Sequence, residues 1–132
     1  MLPGLATDRS LIAGVKEGKI DASISAFNYS EDRDLEVDFT EAYYIGEDGF
    51  TVADTFTGAI TKPEDVATLK VGVQSGTTQD GYVTDTLVAG GILPEGQVFR
   101  YERADQVALD LKNGRIDVMM TDLVPGQALA KQ

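Results

Sequence analysis

Val107–Asp122, VALDLKNGRIDVMMTD, reads as a helix that closes on Gly114 and runs at once into an apolar strand. Gly114 suits the left-handed position that ends a helix, and Lys112 just before it suits the negative end of the helix dipole. The same order of residues stands near the other end of the chain. Leu11–Asp21, LIAGVKEGKID, also ends on Lys, one residue, Gly, a base, Ile and Asp. Helix-glycine-strand is a common connection, but here the match carries on through Ile and Asp into a further apolar run, Ala22 to Phe27. The repetition implies two related lobes, each built on the same helix-to-strand unit.

Between the repeats the chain alternates short strand and helix patterns. Phe50 to Ala53 is a short strand. Thr61-Lys62-Pro63-Glu64 carries a Thr-x-x-Glu capping pattern with proline in the first turn, which predicts a short helix over Pro63 to Ala67. Leu69 to Gln74 is a β-rich run, and Thr77 to Ala89 a helix stopped by Gly90-Gly91. Gln97 to Tyr101 is a strand, Ala104 to Asn113 a helix, Ile116 to Thr121 an apolar strand, and Val124 to Ala130 a last helix. Strands alternating with helices of this length predict an α/β fold with a parallel sheet and crossover connections. Ligands of such sheets gather at the carboxyl ends of the strands.

Bulk properties narrow the chemistry. The 132 residues suffice for one domain with a core, and 42% hydrophobic residues argue against disorder. No apolar run approaches the roughly 18 to 20 residues of a membrane span. The first residues, MLPGLATDRS, lack the pattern of a secretory signal, so a targeting segment is expected outside this sequence. A net charge of −11, from 22 acids against 11 bases, argues against nucleic acid as a partner. With neither cysteine nor histidine, disulfides, thiol chemistry, Cys-based zinc sites and the commonest general base are excluded. No cofactor is expected.

Three places hold residues that could meet a small zwitterion. Asp21 to Tyr44, DASISAFNYSEDRDLEVDFTEAYY, passes from a strand pattern into small polar groups, Asn28 and Ser30, and then a single arginine, Arg33, amid acids. A guanidinium just beyond a strand end is suited to a carboxylate; equally, Arg33 can be a solvated arginine paired with Glu31, Asp32 or Asp34. Leu69 to Gln74 runs into Ser75-Gly76-Thr77-Thr78, where backbone N–H groups at a helix start welcome an anion. The plainer reading there is a helix cap by Ser75 or Thr77. Ile116 to Thr121 ends on Asp122, which can cap the next helix or hold a cation. Tyr43 and Tyr44 read as core or hinge packing, and Asp21 and Asp117, which open apolar strands, as structural hydrogen-bonding groups.

Taken in order, these three motifs resemble the solute-binding proteins of ABC importers for polar amino acids. Asp21, then Ala26 to Ser30, Asp32-Arg33, and Asp38-Phe39-Thr40 with Tyr43-Tyr44 are similar to that family's lobe-one signature; VGVQSGTTQDGY and LKNGRIDVMMTD are similar to its lobe-two elements. The resemblance implies a periplasmic-binding-protein type II-like fold, with one nearly complete lobe and a partial second lobe. Residues 1–46 would be the partial lobe one (helix, strand and carboxylate-binding loop). Residues 47–132 would hold the hinge crossing and most of lobe two. It further implies that Arg33 grips the ligand α-carboxylate, assisted by Asn28 and by the backbone N–H of Thr78. The Ala26 carbonyl and Asp122 would receive the α-ammonium, and Gln74 would reach the variable end. Asn28 stands where the family has Thr or Ser, Asp32 where it has Glu, and Ala26 where it often has Gly.

The implied partners are a polar amino acid and a membrane permease, and the implied location is periplasmic or extracellular. The pattern also leads us to expect a chain lacking parts of lobe one: a truncated chain, a natural fragment, or one that completes itself by pairing. Weak or absent ligand binding by the monomer and self-association follow from that. Two alternatives share the motifs. One is the sensor module of a membrane receptor or kinase. The other is a dehydratase-like enzyme acting on cyclic acids, for which Asp32 or Asp122 would be the general acid.

Overall fold

A computed structural model describes residues 8–129. The chain divides between Ile45 and Gly46 into two compact units. Each is described by itself.

In the first unit, helix α1 (Asp8–Lys16) begins on an acid and ends on a base, as the helix dipole favours. It closes through Gly18 at φ 67°, with Lys19 N–H donating to the Gly14 carbonyl at 2.9 Å. The strand expected over Ala22 to Phe27 does not form. Ala26 takes the left-handed conformation, φ 50°, which no ladder accommodates, and its N–H donates to Tyr43 Oη at 2.7 Å. A single turn of helix, α2 (Glu31–Asp34), follows. None of residues 8–45 is buried, and Tyr43 and Tyr44 are exposed rather than packed in a core.

The second unit is a four-stranded sheet in the order β1-β4-β2-β3, formed by β1 (Asp48–Val52), β2 (Val71–Gln74), β3 (Val98–Tyr101) and β4 (Val118–Asp122). β2 runs parallel to β3 and to β4, as expected. β1 corrects the all-parallel expectation: it pairs antiparallel to β4, Phe50 opposite Met120. An antiparallel neighbour needs no crossover helix, which is why the alternation of elements did not reveal it.

Side chains alternate across the sheet. Val71, Val73, Val118 and Met120 point into one apolar cluster, completed by Val66, Val83, Leu87 and Leu93. Val83 and Leu87 both come from the π-helical stretch Val83–Val88, which continues helix α3 (Thr78–Tyr82). Met119 and Ile116 point the other way, against Val107 and Leu111 of helix α4 (Ala104–Lys112). Helix α5 (Leu123–Leu129) adds Leu129 to that second cluster. α4 ends as anticipated, with Gly114 at φ 68° and Arg115 N–H donating to the Asp110 carbonyl.

Two local devices start the strands. Asp117 accepts from the Lys70 N–H at 2.8 Å and returns its own N–H to the Lys70 carbonyl, so β2 and β4 begin in register. The short helix after Thr61 is a 3₁₀ turn, Pro63–Val66. Asp65, not the anticipated Glu64, reaches back to the Thr61 and Lys62 N–H groups, because the tighter 3₁₀ turn brings that residue under the chain entry.

Candidate functional site

In the first unit, Ser30 stands in extended conformation before α2 and accepts from the Arg33 N–H, so Arg33 falls in the first turn. Its side chain folds back instead of reaching the acids beside it. Nη1 donates to the Asn28 carbonyl at 2.9 Å, Nη2 to Asp8 Oδ2 at 2.8 Å, and the guanidinium lies 5.4 Å from the Phe27 ring centre. Only 10% of the side chain is exposed, which rules out the solvated arginine paired with Glu31, Asp32 or Asp34. A guanidinium fixed in this way on a carboxylate, a carbonyl and a ring face is oriented in advance. Tyr29 and Phe39 pack edge to face at 5.5 Å alongside. Arg33 and Asn28 are thus brought together, while Ala26 is held by Tyr43.

In the second unit the site residues stand at the carboxyl ends of β2 and β4. Ser75 N–H donates to the Tyr101 carbonyl at 2.8 Å, and Gln74 Nε2 to the Glu102 carbonyl at 3.3 Å, so the end of β3 holds the end of β2. The chain then turns through Gly76 at φ 75°. Thr77 is the helix cap: its Oγ1 accepts from the Asp80 N–H and donates to the Gln74 carbonyl at 2.8 Å. Thr78 is the first helical residue, in the turn whose N–H groups find no acceptor within the helix itself. Asp122 is the last residue of β4, and the N–H of Leu123 after it donates to the Glu47 carbonyl at 2.7 Å.

Gln74 and Asp122 line one small pocket with Thr77, Gln79, Thr121, Val107 and Met119. Its volume of about 40 Å³ suits a few waters or one polar group, not a whole amino acid. Sequence reasoning missed Gln79. It is buried, and its Nε2 donates to Asp48 Oδ1 at 2.6 Å, while Asp48 sits opposite Asp122 across the β1-β4 ladder. Two carboxylates thus stand on facing residues at this end of the sheet.

A second missed group is Arg100, on β3. Its Nε donates to Asp80 Oδ1 at 2.7 Å, its Nη1 to Glu95 Oε1 at 2.6 Å and its Nη2 to Thr84 Oγ1 at 2.9 Å. Glu95 raises the arginine's pKa most; partial burial opposes the rise and Asp80 adds to it. Further along β3, burial first and Asp110 second push the Tyr101 hydroxyl up to about 12. Asp80 and Thr84 lie 20 and 16 residues from Arg100, and Glu95 and Asp110 pair at spacings of five and nine that fit neither strand nor helix periodicity, so no local pattern announced these contacts. Among the described residues, no group of acidic side chains is arranged to hold a metal ion, and no helix is long and apolar enough to cross a membrane.

The family described as bacterial extracellular solute-binding proteins, family 3, matches residues 6–122. The L-arginine-binding protein of Pseudomonas aeruginosa is 32% identical over 115 residues, which is 86% of this chain and 42% of that protein. The histidine-binding periplasmic protein of Salmonella typhimurium is 34% identical over 118 residues, 87% of this chain and 42% of that one. The solved structure of an ancestral arginine-binding protein bound to glutamine superposes with a TM-score of 0.81 at 30% identity, covering 96% of this chain and 53% of its own. The chain therefore spans less than half the length of these curated relatives, and its fold is that of the amino-acid-binding proteins.

Proposed function

Because the chain belongs to the bacterial extracellular solute-binding proteins of family 3, we propose that it is the part of an amino-acid-binding protein that recognises the ligand's α-carboxylate and α-ammonium for an ABC importer. Residues 1–46 act as part of lobe one and 47–132 as the hinge crossing with most of lobe two. Arg33, steadied by Asp8, takes the carboxylate with Asn28 and the N–H of Thr78. The Ala26 carbonyl and Asp122 take the ammonium, and Gln74 meets the variable end. The ligand is a polar amino acid, a class that includes those named for the relatives, arginine and histidine. The protein works outside the cytoplasmic membrane and hands its ligand to a permease; no bond is made or broken.

The observation that carries this reading is the preset guanidinium of Arg33, nine-tenths buried on Asp8, Asn28 and Phe27 in a segment with no buried core of its own. Stabilising an arginine there contributes little to folding, so the arrangement is better explained by recognition. The chain by itself binds weakly, with a dissociation constant in the millimolar range, about −4 kcal/mol. It also self-associates through Ile24, Leu35 and Ile45, each more than four-fifths exposed. A particle that stays monomeric in light scattering at high concentration would contradict that association.

Amide chemical shifts of the chain, titrated with arginine, histidine and glutamine, test the binding. Arg33, Thr78 and Asp122 should shift. Arg33→Lys should weaken the response to the free acid, and Asp122→Asn the response to the free amine. Titrations that move none of these three residues would refute the assignment.

A further inference from the structure

Asp80 presents a difficulty for a turn meant to receive an anion. Its carboxylate accepts from the Gly76 N–H at 2.9 Å, and its side chain is only 13% exposed, so a negative charge sits inside the Ser75–Thr78 turn. A ligand carboxylate approaching the Thr78 N–H would be repelled by it. Arg100 lies on the other side of that carboxylate at 2.7 Å, and is itself held by Glu95 and Thr84. Arg100 comes from β3, whose end also carries the Tyr101 carbonyl that holds Ser75. One strand therefore fixes both the posture and the charge of the turn.

We infer that Arg100 is a positioning residue for anion recognition: it neutralises Asp80, so that Asp80 can brace the turn through Gly76 without repelling the ligand's carboxylate. Arg100 does not touch the ligand. Its effect on the ligand passes through Asp80, and falls on ligands that carry a negative charge at that end. The inference rests on the proposed role of the Thr78 N–H.

The test compares wild type with Arg100→Gln, Arg100→Lys and the double variant Arg100→Gln/Asp80→Asn. Amide shifts of Gly76 and Thr78 are followed during titration with arginine and with its carboxamide. Arg100→Gln should bind arginine about tenfold more weakly and the carboxamide with little change, as expected for one unscreened charge close to the site. Arg100→Lys should recover most of the loss. The double variant should also recover, because Asp80→Asn keeps an acceptor for the Gly76 N–H and drops the charge. Unchanged affinity in Arg100→Gln overturns the inference, and so does an equal loss for both ligands.

Should wild type show no response at Gly76 or Thr78 to any amino acid, the binding assignment fails, and the brace is judged on amide exchange alone. Gly76 should then exchange about tenfold faster in Arg100→Gln. An unchanged rate overturns the inference there too.

Discussion

Gly72 lies in the middle of β2, between Phe99 of β3 and Met119 of β4, with α4 laid directly over it. A Cβ placed there would overlap Ile116 Cδ1 and stand 2.7 Å from Val107 Cγ1, both side chains of the second apolar cluster. Gly72→Ala therefore sets two effects against each other. Overpacking a filled core costs about 1–3 kcal/mol. Replacing glycine in a strand returns about 0.5–1 kcal/mol by reducing the freedom of the unfolded chain. The steric effect wins, and the variant should lose about 1–2 kcal/mol. The identity of the obstruction is also checkable, because Ile116→Val removes the atom nearest the new methyl. That change alone should cost about 0.5–1.5 kcal/mol. Made together, the two substitutions should cost less than their sum by about 1 kcal/mol. Urea unfolding followed by circular dichroism gives all four corners of the cycle, provided the slope stays constant. A neutral or stabilising Gly72→Ala, or strict additivity, would show that close packing of α4 is not why glycine stands there.

Asp117→Ala should cost about 1–2 kcal/mol in the same assay, because it removes the acceptor of the Lys70 N–H where β2 and β4 begin, while Asp117→Asn should keep most of that bond. Equal stability of the alanine variant and wild type would remove this contact from the account. Tyr101 supplies a pH dependence. Its hydroxyl is raised from 10.0 to about 12 in the folded chain, so the phenol stays protonated there after the unfolded chain has lost its proton. Its contribution is therefore complete below about pH 10 and is lost as pH rises from about 10 to about 12. Wild type should lose stability across that window faster than Tyr101→Phe, and parallel curves would be evidence against it.

Most of the second unit was legible because its signals are local. Helix closures announce themselves through Gly114 and the preceding Lys112, and the apolar runs around Val71 and Val118 are short, β-rich and bounded by turns. The antiparallel entry of β1 was not legible, since direction within a sheet depends on connections rather than on the strand's own residues. The candidate site divides in the same way. Residues that sit on strand ends or helix starts, Gln74, Thr78 and Asp122, follow from the pattern of elements. The side-chain contacts around the candidate site join residues far apart in the chain: Asp8 with Arg33, Arg100 with Asp80, Asp48 with Gln79. Separations of 20 residues and more leave no periodic trace, and a charged residue among others of opposite sign gives no hint of which partner it takes.

The two copies of the helix-glycine-Ile-Asp unit separate what sequence dictates from what surroundings supply. Both helices form, and both end through a glycine at nearly the same φ, 67° and 68°, because those interactions lie within one turn. Beyond the glycine the copies part. Asp117 finds the Lys70 N–H, and Val118 and Met119 find β2, so the apolar run becomes a central strand. The run after Asp21 meets no pairing strand among the described residues, and Ala26 turns left-handed onto a tyrosine hydroxyl. A left-handed alanine costs about 1–2 kcal/mol over glycine, a cost that two-sided strand pairing would not leave in place. What the first copy gains instead is a loop whose arginine is aimed by Asp8 and by the Asn28 carbonyl. In that irregular segment the backbone serves side chains, the Ala26 N–H bonding Tyr43 and the Asn28 carbonyl bonding Arg33, where a paired strand would have used it in a ladder.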